Sequence, residues 1–295
     1  MYVDKHGKVW YKGNLHTHTT RSDGKLSPER VARLYKEAGY DFFAFTDHWI
    51  FEKGGWDGEM LVLSGGEYDA KTKLRDGIFH IVGIGMTDDP RVNLLPSAST
   101  QEIINEIKNC NGIAILAHPA WSLNTPEQIN KLQGIDAVEI YNSVSDLPHS
   151  SRPYSGLIID MLASMSRLYP CIAADDAHFY DGEEMKSWIM VQSESLTRES
   201  ILESIREGKF HATQGPHFEM TIREGKVCVE CPPESNIECV VFFTDTLYVK
   251  DRTTVRSKDK PVTGAYYTIK PSDSFVRVEV VDDKGRYAWS SPVKV

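Results

Sequence analysis

Six short apolar runs punctuate the first 210 or so residues, and they constrain the fold more than any other feature of the chain. They are Phe42-Phe-Ala-Phe45, Met60-Leu-Val-Leu63, Phe79-His-Ile-Val-Gly-Ile84, Gly112-Ile-Ala-Ile-Leu116, Ala137-Val-Glu-Ile140 and Cys171-Ile-Ala-Ala174. Most are apolar throughout rather than alternating, which is what a strand covered on both faces requires. Helix starts separate them. Ser27-Pro28-Glu29 offers an N-cap, a proline at the first helical position and an early acid. Ser99-Thr-Gln-Glu102 has capping-box spacing, and Thr125-Pro126-Glu127 and Thr197-Arg-Glu-Ser200 repeat the theme. Gly39 and Gly208 fall where helices should end. Strand-then-helix repetition predicts an α/β fold, either a βα barrel or an open doubly wound sheet.

The pattern changes after Gly215-Pro216. Alternating runs such as Val227-Cys-Val-Glu230, Cys239-Val-Val-Phe-Phe243, Tyr266-Tyr-Thr-Ile269 and Phe275-Val-Arg-Val-Glu-Val-Val281 predict strands, and Asp283-Lys-Gly285 predicts a hairpin turn. The expected organisation is a metallohydrolase barrel over 1–215 and a small β-sandwich over 216–295.

Ten histidines are placed informatively. His16, His18, His48, His80, His118 and His178 lie in or at the end of apolar segments, accompanied by Asp23, Asp47, Glu67 and Asp176. In a parallel barrel the strand C-termini converge on one face, so these groups should share one pocket. His16-Thr-His18 and Asp176-Ala-His178 have the spacing that turns both side chains to one face of a strand. Left unliganded, so many polar groups at strand ends would carry a desolvation penalty. Imidazole and carboxylate together suit Zn, Mn or Fe, and carboxylates bridge ions. Nine plausible ligands exceed the needs of one ion, so two or three divalent metal ions are expected.

At this point the motifs resemble a known family. Asn14-Leu-His-Thr-His-Thr-Thr-Arg-Ser-Asp-Gly24 resembles the opening motif of the PHP family, the polymerase and histidinol phosphatase domain. Phe45-Thr-Asp-His48 resembles its second motif, Gly66-Glu67 with His80 its third, and Ala117-His118-Pro119 and Asp175-Asp-Ala-His178 the remaining two. The resemblance covers about residues 10–215. It implies a distorted seven-stranded βα barrel, related to the TIM barrel, with a metal cluster at the strand C-termini. It also implies three metal positions: His16, His18, Glu67 and Asp176; Asp23, His48 and His178; and Glu67, His80 and His118, with Glu67 bridging. Some members carry a histidine where Asp23 stands. More loosely, Trp10-Tyr-Lys-Gly-Asn-Leu-His16, Gly208-Lys-Phe-His-Ala-Thr-Gln-Gly-Pro216 and Tyr287-Ala-Trp-Ser-Ser-Pro292 resemble a branch that includes carbamate-insecticide hydrolases.

The expected activity is phosphoesterase hydrolysis of a small phosphate ester by a hydroxide formed on the ions. The alternative is a carbamate, amide or ester hydrolase using the same cluster. Asp23, Glu67 and Arg21 are expected at the reacting centre, Arg21 by gripping a phosphate oxygen. Asp47 is expected to orient a ligand from behind. His211 and His217 are candidates for the leaving-group acid, whereas His6 and His149 carry no motif. Trp49 and Trp56 are candidates for a substrate wall. The formal net charge of −9 argues against a nucleic-acid polymer as partner and leaves a small anionic molecule open, since metal ions supply local positive charge. A binding module that keeps the metal site without turnover is the further alternative. Met1–Trp10 lacks the apolar stretch of a signal peptide and no run approaches a membrane span, so a cytoplasmic protein with no membrane partner is expected. Five scattered cysteines do not suggest a disulfide framework, and Cys228-Val-Glu-Cys231 reads as free cysteines on a strand.

Overall fold

Each apolar run becomes a strand: Phe42–Ala44, Met60–Leu63, His80–Ile84, Ile113–Leu116, Ala137–Asn142 and Cys171–Ala174. The computed structural model describes residues 1–70, 73–95, 97–257 and 260–295. The capping signals also take effect. Ser99 and Glu102 form a reciprocal capping box on the helix Thr100–Asn109, and Thr125 with Gln128 does the same for Pro126–Ile129. Thr197 accepts the Ser200 N–H at the start of Arg198–Arg206. The helix Pro28–Glu37 has its proline in the first turn, but Ser27 makes no side-chain cap. The helix Gly156–Ser164 has no side-chain cap either, and its apolar residues run round it, leaving Leu157 and Met161 exposed. That explains why sequence signals do not mark it.

The sheet topology departs from a repeated parallel barrel. Among the described residues no sheet closes on itself. A five-stranded sheet runs Cys171–Ala174, Ala137–Asn142, Ile113–Leu116, His80–Ile84, Gly65–Asp69. Its first three strands are parallel, whereas His80–Ile84 is antiparallel to both neighbours. The link from Asp69 to His80 is shorter than a parallel crossover needs, so the chain must turn back. Val9–Asn14, Phe42–Ala44 and Met60–Leu63 pair in parallel within a separate twelve-stranded sheet. Ser64 alone separates Met60–Leu63 from Gly65–Asp69, yet the two belong to different sheets. The two sheets still meet at two isolated parallel bridges, Thr17 with Ala177 and His48 with Glu67. Leu15, Phe42, Leu63, Val82, Ile115 and Ile172, drawn from both sheets, share one buried apolar cluster.

The larger sheet continues past residue 216, because Phe210–Thr213 pairs with Tyr287–Trp289, which pairs with Phe275–Asp282. A three-stranded sheet of Glu219–Arg223, Lys226–Glu230 and Gly264–Thr268 lies nearby. Val227, Val229 and Tyr267 from it share a core with Val240, Phe242, Val276 and Val278 of the larger sheet. The expected turn after Asp282 forms, with Gly285 at φ 72°. All five cysteines are free. No helix among the described residues is long and apolar enough to cross a membrane.

Candidate metal centre

The two isolated bridges lie among the chemistry-bearing residues. Thr17 sits between His16 and His18, Ala177 between Asp176 and His178, and His48 pairs directly with Glu67. The segment after His18 is held by Asp47, whose carboxylate accepts the N–H groups of Thr19 (2.8 Å) and Ser22 (3.1 Å) and both hydroxyls. Asp47 thus positions the turn that presents Asp23. Gly24 closes that turn, and a Cβ there would lie 2.5 Å from the His18 carbonyl oxygen.

Four buried atoms converge without hydrogen bonds: His16 Nε2, His18 Nε2, Glu67 Oε2 and Asp176 Oδ1. Each imidazole nitrogen lies 3.0 Å from Asp176 Oδ1, and Glu67 Oε2 is 3.2 Å from His16 and 3.1 Å from His18. The atoms are close, yet none is oriented to donate to another. Desolvating four such atoms costs on the order of 1–3 kcal/mol each when unmatched. They are the first grouping expected from the family resemblance.

The second expected grouping also assembles. Asp23 lies 3.7 Å from His48 Nε2 and 3.5 Å from His178 Nε2, and His18 joins at 3.6 Å through Nδ1. The third differs in detail. Glu67 Oε1 is 2.8 Å from His80 and 3.5 Å from His118, while Glu67 Oε2 is 3.1 Å from His48 Nδ1. The tight trio is therefore His48, Glu67 and His80, with His118 beside it and 3.7 Å from Asp176. Glu67 meets five imidazoles, so it stands at the shared position. Asp23 is the exposed member, while His16, His18, Glu67, His118 and Asp176 are buried.

Residues behind the cluster fix these side chains. Glu139 Oε1 lies 2.7 Å from His16 Nδ1, and its other oxygen accepts the His118 N–H (2.8 Å) and an Asn142 amide N–H (2.8 Å). Asn142 donates to Asp176 Oδ2 (3.1 Å), and Ser122 Oγ lies 3.0 Å from His118 Nδ1. Partners of this kind set the tautomer and aim the opposite ring nitrogen. Sequence reasoning missed them, although Glu139 had a signal: it is the acid inside an otherwise apolar run.

Backbone and electrostatics are both unusual here. His118 (φ 28°) and Asp176 (φ 53°) occupy the left-handed region, at a cost of about 1–3 kcal/mol each. Burial opposes charge on His16, but Asp176, Glu67 and Glu139 outweigh it and hold its pKa well above the usual imidazole range. Burial likewise opposes charge on His178, and Asp176 and Asp23 overcome it to push the pKa up to about 9. Burial pushes the Glu67 and Asp176 carboxyls up, and the surrounding imidazoles more than reverse this, leaving both far below the carboxylate range.

The cluster opens into a cavity of about 330 Å³ lined by Asp23, His48, Glu67, His80, His118, Asp176 and His178 on one part of its wall. Trp121, Val144, Ser145, His149, Ser150 and Phe179 complete it. Arg21 is not among these residues; it forms an ion pair with Glu52. His211 and His217 are elsewhere, packed against Trp10. Their four ring nitrogens are also unpartnered, but among the described residues no carboxylate group gathers with them into a candidate ion site. Trp49 bonds Asp69 and Trp56 lies exposed on a strand, so neither lines the cavity.

No protein-family model and no curated protein matches the chain. Among solved structures, it is similar to a two-domain protein from Bacteroides vulgatus ATCC 8482 containing a predicted PHP-like metal-dependent phosphoesterase. That likeness has 16% identity and a TM-score of 0.58, and covers 98% of this chain and 97% of the other. An amidohydrolase from Chromobacterium violaceum, with bound sulfate and no metal, aligns over 58% of this chain and 89% of its own at 16% identity and a TM-score of 0.42. Over nearly its whole length, the chain shares its fold with the PHP-like protein.

Proposed function

We propose that the protein is a metal-dependent hydrolase that cleaves a small phosphate ester. The observation that carries this reading is the convergence of His16 Nε2, His18 Nε2, Glu67 Oε2 and Asp176 Oδ1, buried and unpartnered around one point. Two imidazoles and two carboxylates fit a divalent ion of the Zn, Mn or Fe kind. His16, His18, Glu67 and Asp176 would hold one ion, and Asp23, His48 and His178 a second. Glu67, His80 and His118 would hold a third, with Glu67 shared. Such ions, when bound, activate water near neutral pH and neutralise charge on substrate oxygens.

The chain's own groups would orient and enclose the substrate. Trp121, Val144 and Phe179 offer an apolar wall, and Ser145 and Ser150 offer hydroxyls. The cavity's size suits a small molecule rather than a polymer. We also read residues 1–215 as the catalytic lobe, a distorted seven-stranded ring completed by the bridges Thr17–Ala177 and His48–Glu67, and 216–295 as a β-sandwich lobe. The shared fold with a protein containing a predicted PHP-like metal-dependent phosphoesterase is in keeping with the proposed reaction class.

One observation favours a second reading. Among the described residues, no lysine or arginine lines the cavity, so a carbamate, amide or ester with an aromatic group would also find a complementary wall. A panel of p-nitrophenyl phosphate, an alkyl phosphate and an aryl carbamate separates the two. Phosphate release with Mn²⁺ or Zn²⁺, abolished by chelation and without carbamate cleavage, is the expected result. Carbamate cleavage without phosphate release would transfer the assignment to the alternative.

A further inference from the structure

His149 has no motif around it in the sequence, yet the fold brings it to the wall of the metal-site cavity. It lies on the segment after the strand Ala137–Asn142 and meets the segment after Asp176. Its Nε2 is 3.0 Å from Asp181 Oδ1, and its ring stacks on Phe179 at 4.1 Å with an interplanar angle of 18°. The opposing segment is fixed by Glu183, whose Oε1 accepts the backbone N–H groups of His178 (3.0 Å), Phe179 (2.5 Å) and Tyr180 (2.7 Å). Its Oε2 accepts the Asp181 N–H at 3.2 Å.

His149, Asp181 and Glu183 together have the composition of a cation site, and Glu183 Oε2 lies 3.9 Å from His149. The Glu183 oxygens are already committed to four backbone donors, however. What remains is a histidine paired with one carboxylate, on a segment shared with His178. Among the described residues, His149 is the one imidazole lining the cavity outside the expected metal-ligand set. With Nε2 facing Asp181, Nδ1 is the nitrogen left for a ligand. The charged groups facing it from the opposing segment are Asp181 and Glu183. Asp146, on its own segment, accepts from Tyr141.

We propose that His149, held by Asp181, is the catalytic acid that protonates the leaving group. The assignment rests on the hydrolase reading and deepens it. As the bond from phosphorus to the ester oxygen breaks, the Nδ1 proton passes to that oxygen and the product leaves as a neutral alcohol. The attacking water's oxygen ends on phosphorus, and the proton it loses restores the imidazolium. A general acid of this kind contributes about 10²–10⁴-fold, and most where the leaving group is poor.

The test uses zinc-loaded protein, the variants His149→Gln and Asp181→Asn, and two substrates, an alkyl phosphate and p-nitrophenyl phosphate. His149→Gln should lower kcat on the alkyl ester about 10²-fold and abolish the alkaline limb of its pH profile, with far less effect on the p-nitrophenyl ester. Asp181→Asn should reproduce part of that loss. Two readouts do not depend on turnover. Inorganic phosphate should bind wild type and His149→Gln equally by calorimetry, and the hydrogen-bonded Nε2–H resonance of His149 should move upfield in Asp181→Asn, whose neutral amide oxygen is a weaker acceptor. Equal losses on both esters, weakened phosphate binding, or an unchanged resonance would overturn the assignment. Failure of the wild type on every ester would instead remove the hydrolase reading, and the leaving-group role with it.

Discussion

Two buried polar networks in this molecule treat charge in opposite ways. Around Arg277, whose side chain is fully buried, every guanidinium nitrogen has a partner. The guanidinium grips both Asp160 oxygens at 2.8 Å, donates to Glu279 at 2.6 Å and reaches Tyr154, with Phe243 beneath it at 4.5 Å. Around Glu67 and Asp176, acceptors and ring nitrogens point at one another and leave four atoms unpartnered. The first network ties the helix Gly156–Ser164 to the strand Phe275–Asp282 and is complete as folded. The second leaves four atoms around one point that a cation could complete. Burial of charge is therefore a poor marker of function, whereas unmatched convergence is a good one.

Removing the shared group should have the largest effect. Glu67→Ala should lose metal and lower turnover by on the order of a thousandfold, because bound ions supply several kcal/mol of charge stabilisation. Metal analysis and steady-state rates check both. The opposite network should respond in stability alone. Arg277→Ala should cost about 3–5 kcal/mol by denaturant unfolding, since it strands buried carboxylates, whereas replacing Arg277, Asp160 and Glu279 together by apolar residues of similar volume should cost less. Equal effects of the two replacements would undo the contrast.

Smaller effects probe the groups behind the cluster. Glu139→Gln should weaken metal affinity about 10–100-fold while leaving the fold intact, measured by competition with a chelator. The smallest expected signal is protonic. Asp176 and Asp23 hold His178 up to about 9 among protein groups alone, so at neutral pH metal must displace its proton. Calorimetry in buffers of different ionisation enthalpy should show proton release on metal binding that shrinks as pH rises through about 9. Release that grows across that range would reverse the sign of the argument.

Much of this was legible beforehand for a physical reason. Apolar continuity and capping boxes are local signals, so the strands and the helix Thr100–Asn109 were readable, as was the drawing together of nine ligand-type residues. Register and strand direction depend on long-range pairing. The change of sheet at Ser64 and the reversal of His80–Ile84 left no periodic trace. His149 was invisible for a related reason: a histidine in an irregular segment gains meaning only when Asp181 and Phe179, about thirty residues on, are folded against it. Arg21 shows the converse, since a promising position in a motif resolved into an ion pair with Glu52.

The most direct test is metal stoichiometry. Protein stripped by chelation, reloaded separately with Zn²⁺ and Mn²⁺ and freed of excess metal should retain two or three equivalents per chain. Asp176→Ala should retain fewer, with its fold preserved by circular dichroism. A wild type that retains no metal, or an Asp176→Ala variant that retains as much as wild type, would contradict the account.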